Sequence, residues 1–288
     1  MQPAFQKDAA FVTDVRRMIE AGERRLWWLG QSGFLLAQNG RAVVLDPYLS
    51  DSLTHKYAGT DKPHVRMTER VVAPAALAGI GVIDMITSSH NHSDHLDPET
   101  ILPLLAGNPR ALLTIPAANR EFALERLGRD HADRLLELDD QVSVRAGAIE
   151  ITGIAAAHPT VECDAAGRCR FLGYVLRWPG LSLYHSGDTL LHDGLLPSLR
   201  RFSLDVALLP INGDRPERRV AGNLDGCQAA QLAHAIGARC VIPCHFDLFE
   251  FNTASPDEFI AECRRLLQPY RLLRHGESCD FNNASSYK

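Results

Sequence analysis

Histidine and aspartate side chains concentrate in one short segment, SSHNHSDHLDPET, which contains His90, His92, Asp94 and His95. The segment directly follows an apolar run at 83–89 that is typical of a buried strand. In an extended chain, residues 90 and 92 point the same way, and a turn then lets residues 94 and 95 face a neighbouring position. Converging imidazoles and carboxylates are ligands of zinc and similar cations. The segment therefore predicts a metal site at the end of this strand.

One tetrahedral ion does not easily accommodate four ligands that lie so close in sequence. We therefore expect two adjacent ions and additional ligands from distant parts of the chain. A site for a single zinc ion is the main alternative. A solvated histidine-rich turn is a weaker one, because four such groups at a strand end would carry a solvation cost without a function.

Three later residues each follow an apolar run and are candidates for the distant ligands. His158 ends the run ITGIAAA, Asp188 lies in the turn SGDT after LSLYH, and His245 ends ARCVIPC. Each of these residues alone is more typical of a satisfied turn than of a ligand. Their shared position at strand ends, together with the cluster of four, favours the metal interpretation.

The elements that must position these residues follow from the periodicity of the sequence. A helical pattern covers 8–24, and the next 25 residues contain three short strands, the last two joined by an Asn39-Gly40 hairpin turn. Further strands and helices alternate to about residue 267, whereas the polar stretch 50–69 has no clear period. We expect two sheets packed face to face with helices outside, in a single domain spanning 1–288.

Taken together, these segments resemble the metallo-β-lactamase fold superfamily. The residues that carry the resemblance are the H-x-H-x-D-H motif, the later histidines and HSGDT. The segments WLGQSGFLL, LDPYLSDS, LLPINGD, GNLDGCQAAQLA and VIPCHFDLFEFN are similar more narrowly to the L-ascorbate-6-phosphate lactonase group. The resemblance implies an α+β fold, a four-layer αββα sandwich, with a dinuclear metal site at one edge of the two sheets.

The resemblance also implies an allocation of ligands between two divalent metal ions, Zn²⁺ or Mn²⁺. The first ion would bind His90, His92 and His158, the second would bind Asp94, His95 and His245, and Asp188 would bridge the two. Two ions about 3.5–4 Å apart need a shared carboxylate, a role that suits Asp188. Imidazoles suit zinc and carboxylates suit manganese, so the sequence does not choose between them.

Other residues are candidates for supporting roles. Asp46 matches a carboxylate that the superfamily places below the metals, where it orients a ligand imidazole. His185 faces either the pocket or the core, and Tyr48 is either a pocket wall or a packed aromatic. The segment INGDRPERRVAGN is rich in donors suited to an anionic substrate, although a solvated loop is the alternative. These donors are Asn212, Arg215, Arg218, Arg219 and Asn223.

The predicted reaction is hydrolysis by a hydroxide that bridges two divalent ions, with Asp94 orienting the hydroxide and shuttling its proton. The substrate class implied by the resemblance is a lactone or related ester of a small anionic molecule, such as a sugar phosphate. A phosphodiesterase acting on a nucleotide, RNA or phospholipid is the first alternative. A non-catalytic metal-binding relative is the second.

Composition and charge limit the kinds of binding partner that we expect. A formal net charge of −5 argues against a nucleic-acid partner, and no apolar run is long enough to predict a membrane span or a signal peptide. Seven cysteines without a regular spacing fit reduced thiols, so we expect a cytoplasmic protein. The sequence leaves open whether the chain forms an oligomer and whether 50–69 closes over the pocket as a lid.

Overall fold

A computed structural model describes residues 1–280. Seven strands form a first sheet in the order β13-β1-β2-β3-β4-β5-β6, in which β3 to β6 run parallel and the other neighbours antiparallel. The strands are β1 (Arg25–Gly30), β2 (Gly33–Gln38), β3 (Arg41–Leu45), β4 (Ile83–Thr87), β5 (Leu112–Pro116), β6 (Leu135–Leu138) and β13 (Ser278–Asp280).

Six strands form the second sheet in the order β12-β11-β10-β9-β8-β7. Strands β10, β11 and β12 are parallel, and β7, β8, β9 and β10 alternate in direction. The strands are β7 (Ser143–Ala146), β8 (Ile149–Ala155), β9 (Leu172–Trp178), β10 (Leu181–His185), β11 (Val206–Pro210) and β12 (Cys240–Cys244).

Helices cover the outer faces of both sheets. The helices are α1 (Asp8–Glu20), α2 (Ser52–Lys56), α3 (Pro74–Ala78), α4 (Pro98–Gly107), α5 (Arg120–Leu127), α6 (Leu195–Arg200), α7 (Gly226–Ala235) and α8 (Asp257–Leu266). The short helix α2 is the exception, because its Leu53 packs with Tyr48 and Phe249 and not on a sheet. Apolar residues of α1, α3, α4 and α5 pack on the first sheet, and those of α6, α7 and α8 pack on the second. The predicted α+β sandwich is confirmed. No helix within residues 1–280 is long and apolar enough to cross a membrane.

Strand β1 shows how one segment of sequence contributes side chains to two apolar cores, one on each face of its sheet. Leu26 and Trp28 belong to the core between the sheets, whereas Trp27 and Leu29 belong to the core under the helices. Successive side chains of a strand point to opposite faces, so an unbroken apolar run predicts a strand covered on both sides. Each such side chain contributes about 1.5–3 kcal/mol when it is fully buried.

The sandwich brings the ends of several strands to a single edge. In the first sheet, β3 ends just before Asp46 and β4 ends shortly before His90. In the second sheet, β10 ends shortly before Asp188 and β12 ends just before His245. Strand β8 has the same direction as β10 because β9 is antiparallel to both, and it ends before His158. Polar side chains far apart in sequence therefore meet at this edge.

A buried histidine outside the cavity lining provides a prediction about acid stability. His275 packs edge-on against Trp28 with ring centroids 4.4 Å apart. Burial lowers the pKa of His275 to about 4, although a hydrogen bond with the Phe246 backbone acts in the opposite direction. The pKa of His275 is lower in the folded state than in the unfolded state, so the neutral imidazole stabilises the folded state. This stabilisation is complete above pH 6.5 and is lost as the pH falls toward 4. Between pH 7 and pH 5 the loss is about 2 kcal/mol.

Substitution His275→Gln removes the titrating group, so we expect the free energy of unfolding of metal-free protein to fall less between pH 7 and pH 5 than in the parent chain. Urea denaturation of both proteins at the two pH values measures the difference. His234, an exposed histidine on α7, supplies the matched control for the exchange itself, as His234→Gln. An equal pH dependence in His275→Gln and the parent would contradict the prediction.

Candidate metal centre

Three histidines from two sheets form the first group of potential metal donors. His90 and His92 follow β4 of the first sheet, and His158 follows β8 of the second. One ligand atom from each lies within 4.8 Å of the other two. Burial lowers the pKa of all three imidazoles, so they are neutral near pH 7 and have lone pairs available. His158 Nδ1 contacts the carbonyl oxygen of Gly222 at 2.9 Å, which leaves Nε2 for the site.

A second group consists of Asp94, His95 and His245, whose ligand atoms also lie within 4.8 Å of one another. Asp94 Oδ2 is 3.7 Å from His95 Nε2 and 3.8 Å from His245 Nε2. The Gln31 side-chain amide donates to Asp94 Oδ2 at 2.9 Å and lies 3.0 Å from His245 Nε2. Sequence reasoning missed Gln31, although its place between Gly30 and Ser32 in the turn from β1 to β2 was a signal.

The carboxylate of Asp188 lies between the two groups. Its Oδ1 is 3.4 Å from His95 Nε2, and its Oδ2 is 3.3 Å from His245 Nε2 and 3.7 Å from His158 Nε2. Burial favours the neutral form of this carboxyl, but the nearby His245 and His95 imidazoles hold the pKa of Asp188 well below its usual range. Asp188 is therefore an anion that faces both sets of imidazoles.

Asp46 supports the centre from below. Its Oδ2 is 2.7 Å from His95 Nδ1, and its Oδ1 accepts hydrogen bonds from Thr87 Oγ1 at 2.8 Å and from the Ser89 backbone N–H at 3.1 Å. His185 Nδ1 lies 3.9 Å from Asp46 Oδ1, so His185 contacts the Asp46 carboxylate and does not line the cavity. Because Nδ1 of His95 is engaged by Asp46, Nε2 is the atom directed into the site.

The donors fit divalent cations. The Nε2 atoms of His90 and His95 are buried and make no hydrogen bond within residues 1–280, which is costly for a polar atom unless another partner binds it. Five imidazoles and two carboxylates match the ligand preferences of zinc and manganese. The structure thus brings together all seven residues that the sequence analysis named as ligands. Two groups of three match the two predicted sets, and a third group, His90, His95 and Asp188, overlaps both.

The centre forms the floor of a cavity of about 550 Å³. His92, Asp94, His158, Asp188 and His245 reach it from the floor. Other parts of the chain provide the walls, which are Gln31, Leu53, Lys56, Tyr57, His64, Asn91, Ser93, Phe122, Arg126, Val220, Ala221, Phe249, Phe251 and Asn252. The stretch 50–69, expected to be irregular, contains the short helix α2 and supplies four of these wall residues.

The arginines predicted to bind substrate do not line this cavity within the described residues. Arg218 donates to the carbonyl oxygen of Thr253 at 2.6 Å, and Arg219 pairs with Asp61 at 2.6 Å. Arg215 is exposed to solvent. The structure thus places these arginines outside the cavity lining, because Arg218 and Arg219 use their guanidinium groups to fasten the loop after β11 to neighbouring loops.

Tyr48, Asn212 and Asn223 are also absent from the cavity lining of residues 1–280. The Tyr48 hydroxyl accepts the Leu53 backbone N–H at 2.9 Å and the side chain is 2% exposed, so Tyr48 is a packed aromatic and not a pocket wall. The Asn223 amide donates to Asn212 Oδ1 at 3.1 Å, and both residues are buried. These groups shape the loops behind the cavity.

Two other positively charged side chains face the cavity, and the sequence did not predict either of them. Arg126, on α5, and Lys56, on α2, make no ion pair within residues 1–280. Arg126 Nη1 donates to the carbonyl oxygen of Asn91 at 2.9 Å and lies 3.3 Å from that of Leu96, so the guanidinium is fixed beside the histidine loop. In the sequence, Arg126 is indistinguishable from the other arginines of the helices.

Comparison with known proteins identifies the class. The family model of the beta-lactamase superfamily domain matches residues 25–245, so the chain belongs to that superfamily. A UPF0173 metal-dependent hydrolase from Opitutus terrae is 30% identical over 261 residues, which cover 89% of this chain and 99% of that protein. This chain is therefore a metal-dependent hydrolase of the superfamily. The finer resemblance to the lactonase group stays a prediction.

Solved structures of low sequence identity share the fold. Igni18, a metallo hydrolase from the archaeon Ignicoccus hospitalis, is 20% identical with a TM-score of 0.63, over 89% of this chain and 97% of that one. An isothiocyanate hydrolase from Delia radicum gut bacteria is 16% identical with a TM-score of 0.66, over 88% of this chain and 98% of that one. Both likenesses support the sandwich architecture alone.

Proposed function

We propose that the protein hydrolyses a lactone or related ester of a small anionic molecule at a centre that holds two divalent cations, zinc or manganese. The observation that carries the proposal is the pair of donor groups joined by Asp188 at the floor of the cavity. When bound there, two divalent cations supply Lewis-acid activation of water and of the carbonyl.

Water is the proposed nucleophile because the described residues that line the cavity include no activated serine or cysteine. Within residues 1–280 its lining contains no cysteine and a single serine, Ser93. The nearest partner of the Ser93 hydroxyl is the Arg126 guanidinium, 3.5 Å away, which is a donor and not a base. A serine nucleophile needs a base within hydrogen-bond reach, so Ser93 is not assigned that role.

Asp94 is the residue we assign to proton transfer. It lines the cavity, its side chain is 17% exposed, and the Gln31 amide holds its Oδ2 in place. Burial raises the pKa of Asp94, but His95 together with His245 and His92 lowers it by more, so the carboxylate is ionised near pH 7. Asp94 can accept a proton from the attacking water and return it to the leaving alkoxide.

Two positively charged side chains of the cavity, which make no ion pair within residues 1–280, support the proposal of an anionic substrate. The Arg126 guanidinium is half-buried and stacks on Phe122 with its central carbon 4.7 Å from the ring centroid. Lys56 is exposed at the opening and lies over Tyr57 at 5.2 Å. A guanidinium that makes no ion pair at a partly desolvated wall attracts carboxylate or phosphate groups. We propose that Arg126 and Lys56 bind the anionic group of the substrate.

Substitution Arg126→Gln removes this charge, and we expect KM for an anionic ester to rise about 10- to 100-fold, the value of a charged hydrogen bond of roughly 1.5–3 kcal/mol. The kcat for that ester and the kinetics for its neutral analogue stay near the parent values. Arg129→Gln is the matched control, because Arg129 is exposed just beyond the same helix. An equal loss with both esters would show that Arg126 only holds the histidine loop.

A substrate panel tests the proposed function itself. Protein loaded with zinc or with manganese is assayed against lactones, esters and bis(p-nitrophenyl) phosphate, with and without a carboxylate or phosphate group. Hydrolysis of anionic lactones or esters in preference to the phosphodiester supports the proposal. Faster cleavage of the phosphodiester would favour a phosphodiesterase, and tight metal binding without hydrolysis of any substrate would favour a non-catalytic relative.

A further inference from the structure

Two cysteines face each other in a hairpin beside the metal centre. The segment 159–170, here called the thiol hairpin, connects His158 to Phe171. Cys163 and Cys169 are partners in an isolated antiparallel bridge within it, and their Sγ atoms are 3.9 Å apart. Neither residue lines the cavity or belongs to the donor groups described above.

The hydrogen bonds around the pair define its geometry. The Asp164 N–H donates to the Arg168 carbonyl, and the Arg170 N–H donates to the Glu162 carbonyl, each at 2.9 Å. These two bonds flank the cysteines, so the cysteines occupy a non-hydrogen-bonded position of the ladder. Side chains at such a position approach most closely, with Cα atoms about 4.5 Å apart. This separation falls within the range that a disulfide spans.

Covalent bonding requires a short movement. The two sulfur atoms must approach by about 1.9 Å, because a disulfide bond is about 2.0 Å long. Rotation about the Cα–Cβ bonds supplies a movement of this size without a change in the backbone. The hairpin is therefore already arranged for a cross-strand disulfide.

The two thiols differ in access. Cys163 is exposed, whereas Cys169 is 7% exposed. Burial raises the pKa of Cys169 to about 12, with a further contribution from the contact with Cys163, so Cys169 is a thiol near pH 7. The thiolate is the reactive form of cysteine, and it must also reach its reaction partner. Cys163 is thus the thiol that reacts first.

We propose that Cys163 and Cys169 form a reversible oxidation site that reacts with low-molecular-weight disulfides such as oxidised glutathione. The Cys163 thiolate attacks one sulfur of the small disulfide, forming a mixed disulfide and releasing one thiolate. Cys169 then loses its proton to solvent, and its sulfur attacks Cys163 Sγ, releasing the second thiol. The protein loses two protons and two electrons, and the small disulfide is reduced to two thiols.

The position of the hairpin connects this oxidation site to the metal centre. Phe171, at one end of the hairpin, lies against His90 with ring centroids 5.2 Å apart and against His158 with centroids 5.6 Å apart. His158 is at the other end of the hairpin. A disulfide restricts the segment that joins these two contacts, so oxidation rigidifies one side of the candidate centre.

The test uses the full chain equilibrated in buffers that contain reduced and oxidised glutathione in varied ratios. We expect the number of free thiols, counted after acid quenching and denaturation, to fall from seven to five as the buffer becomes more oxidising. Peptide mapping is expected to link Cys163 to Cys169, with the mass lowered by two hydrogen atoms. Hydrogen exchange of the amides in the thiol hairpin is expected to slow on oxidation.

Cysteine-to-serine variants provide the controls. Cys163→Ser and Cys169→Ser are each expected to lose the two-thiol step, whereas Cys227→Ser, at a partly exposed site on α7, keeps it. Retention of seven thiols across the range, a disulfide between other cysteines, or a stable glutathione adduct at Cys163 would overturn the proposal. None of these measurements depends on hydrolytic activity, so the result stands apart from the proposed function.

Discussion

Asp188→Asn is expected to reduce metal binding and hydrolysis more than any other conservative change in the chain. Asparagine keeps the size of the side chain but removes the negative charge, and Asp188 is the carboxylate within 3.7 Å of three imidazole nitrogens from both donor groups. Outer partners of metal ligands alone are worth about 10–100-fold in affinity. For a bridging carboxylate we expect a loss above 100-fold for at least one cation, with hydrolysis below the limit of detection.

Metal analysis after dialysis and competition with a chelator measure this effect. Asp193→Asn is the matched control, because Asp193 is an exposed aspartate in the loop that also holds Asp188. We expect the control to bind two cations per chain with the affinity of the parent protein. If Asp188→Asn did the same, the bridging role assigned to this carboxylate would be wrong.

Gly187→Ala is expected to damage the same centre by a steric route. Gly187 has a positive φ of 57°, and a Cβ atom there would overlap the Ser89 side chain. The Ser89 hydroxyl lies 3.0 Å from His90 Nδ1 and 3.2 Å from His95 Nδ1, so its displacement moves two donors at once. We expect metal affinity to fall about 10–100-fold, as for the loss of other outer partners.

Gly147→Ala separates this overlap from backbone strain. Gly147 has a φ of 61°, and a Cβ atom added there would meet no other atom within 4 Å, so it shares the strain of about 1–2 kcal/mol without the overlap. Chemical denaturation is expected to show that Gly187→Ala is about 1–3 kcal/mol less stable than Gly147→Ala, the usual range for overpacking. Equal stability and equal metal affinity in the two variants would refute the steric explanation.

The sequence predicted the floor of the cavity better than its walls. His158, Asp188 and His245 were recognisable because each follows an apolar strand, and strands of one direction end at the same edge. Arg218 and Arg126 show why the walls were harder. Both are arginines near strand or helix ends, but tertiary contacts turn Arg218 toward Thr253 and leave Arg126 facing the cavity. Local sequence carries no signal of that difference.

Short elements were missed for a related reason. Helix α2 and strand β6 contain five and four residues, too few to show a period. Strand β6 pairs with β5, and α2 is fixed by contacts such as the Tyr48 hydroxyl with the Leu53 N–H. Strands β1 and β4 are also short, with six and five residues, but they were predictable because almost every residue of their apolar runs is buried.

The division of the donors between the two sheets has a consequence for the lifetime of the protein. His90, His92, Asp94 and His95 follow a strand of one sheet, and His158, Asp188 and His245 follow strands of the other. Cations bound by both sets would connect the sheets at one edge and would favour the native state over the unfolded state by mass action. Molecules short of metal would therefore be more susceptible to proteases, so the supply of cations would set how long each copy survives.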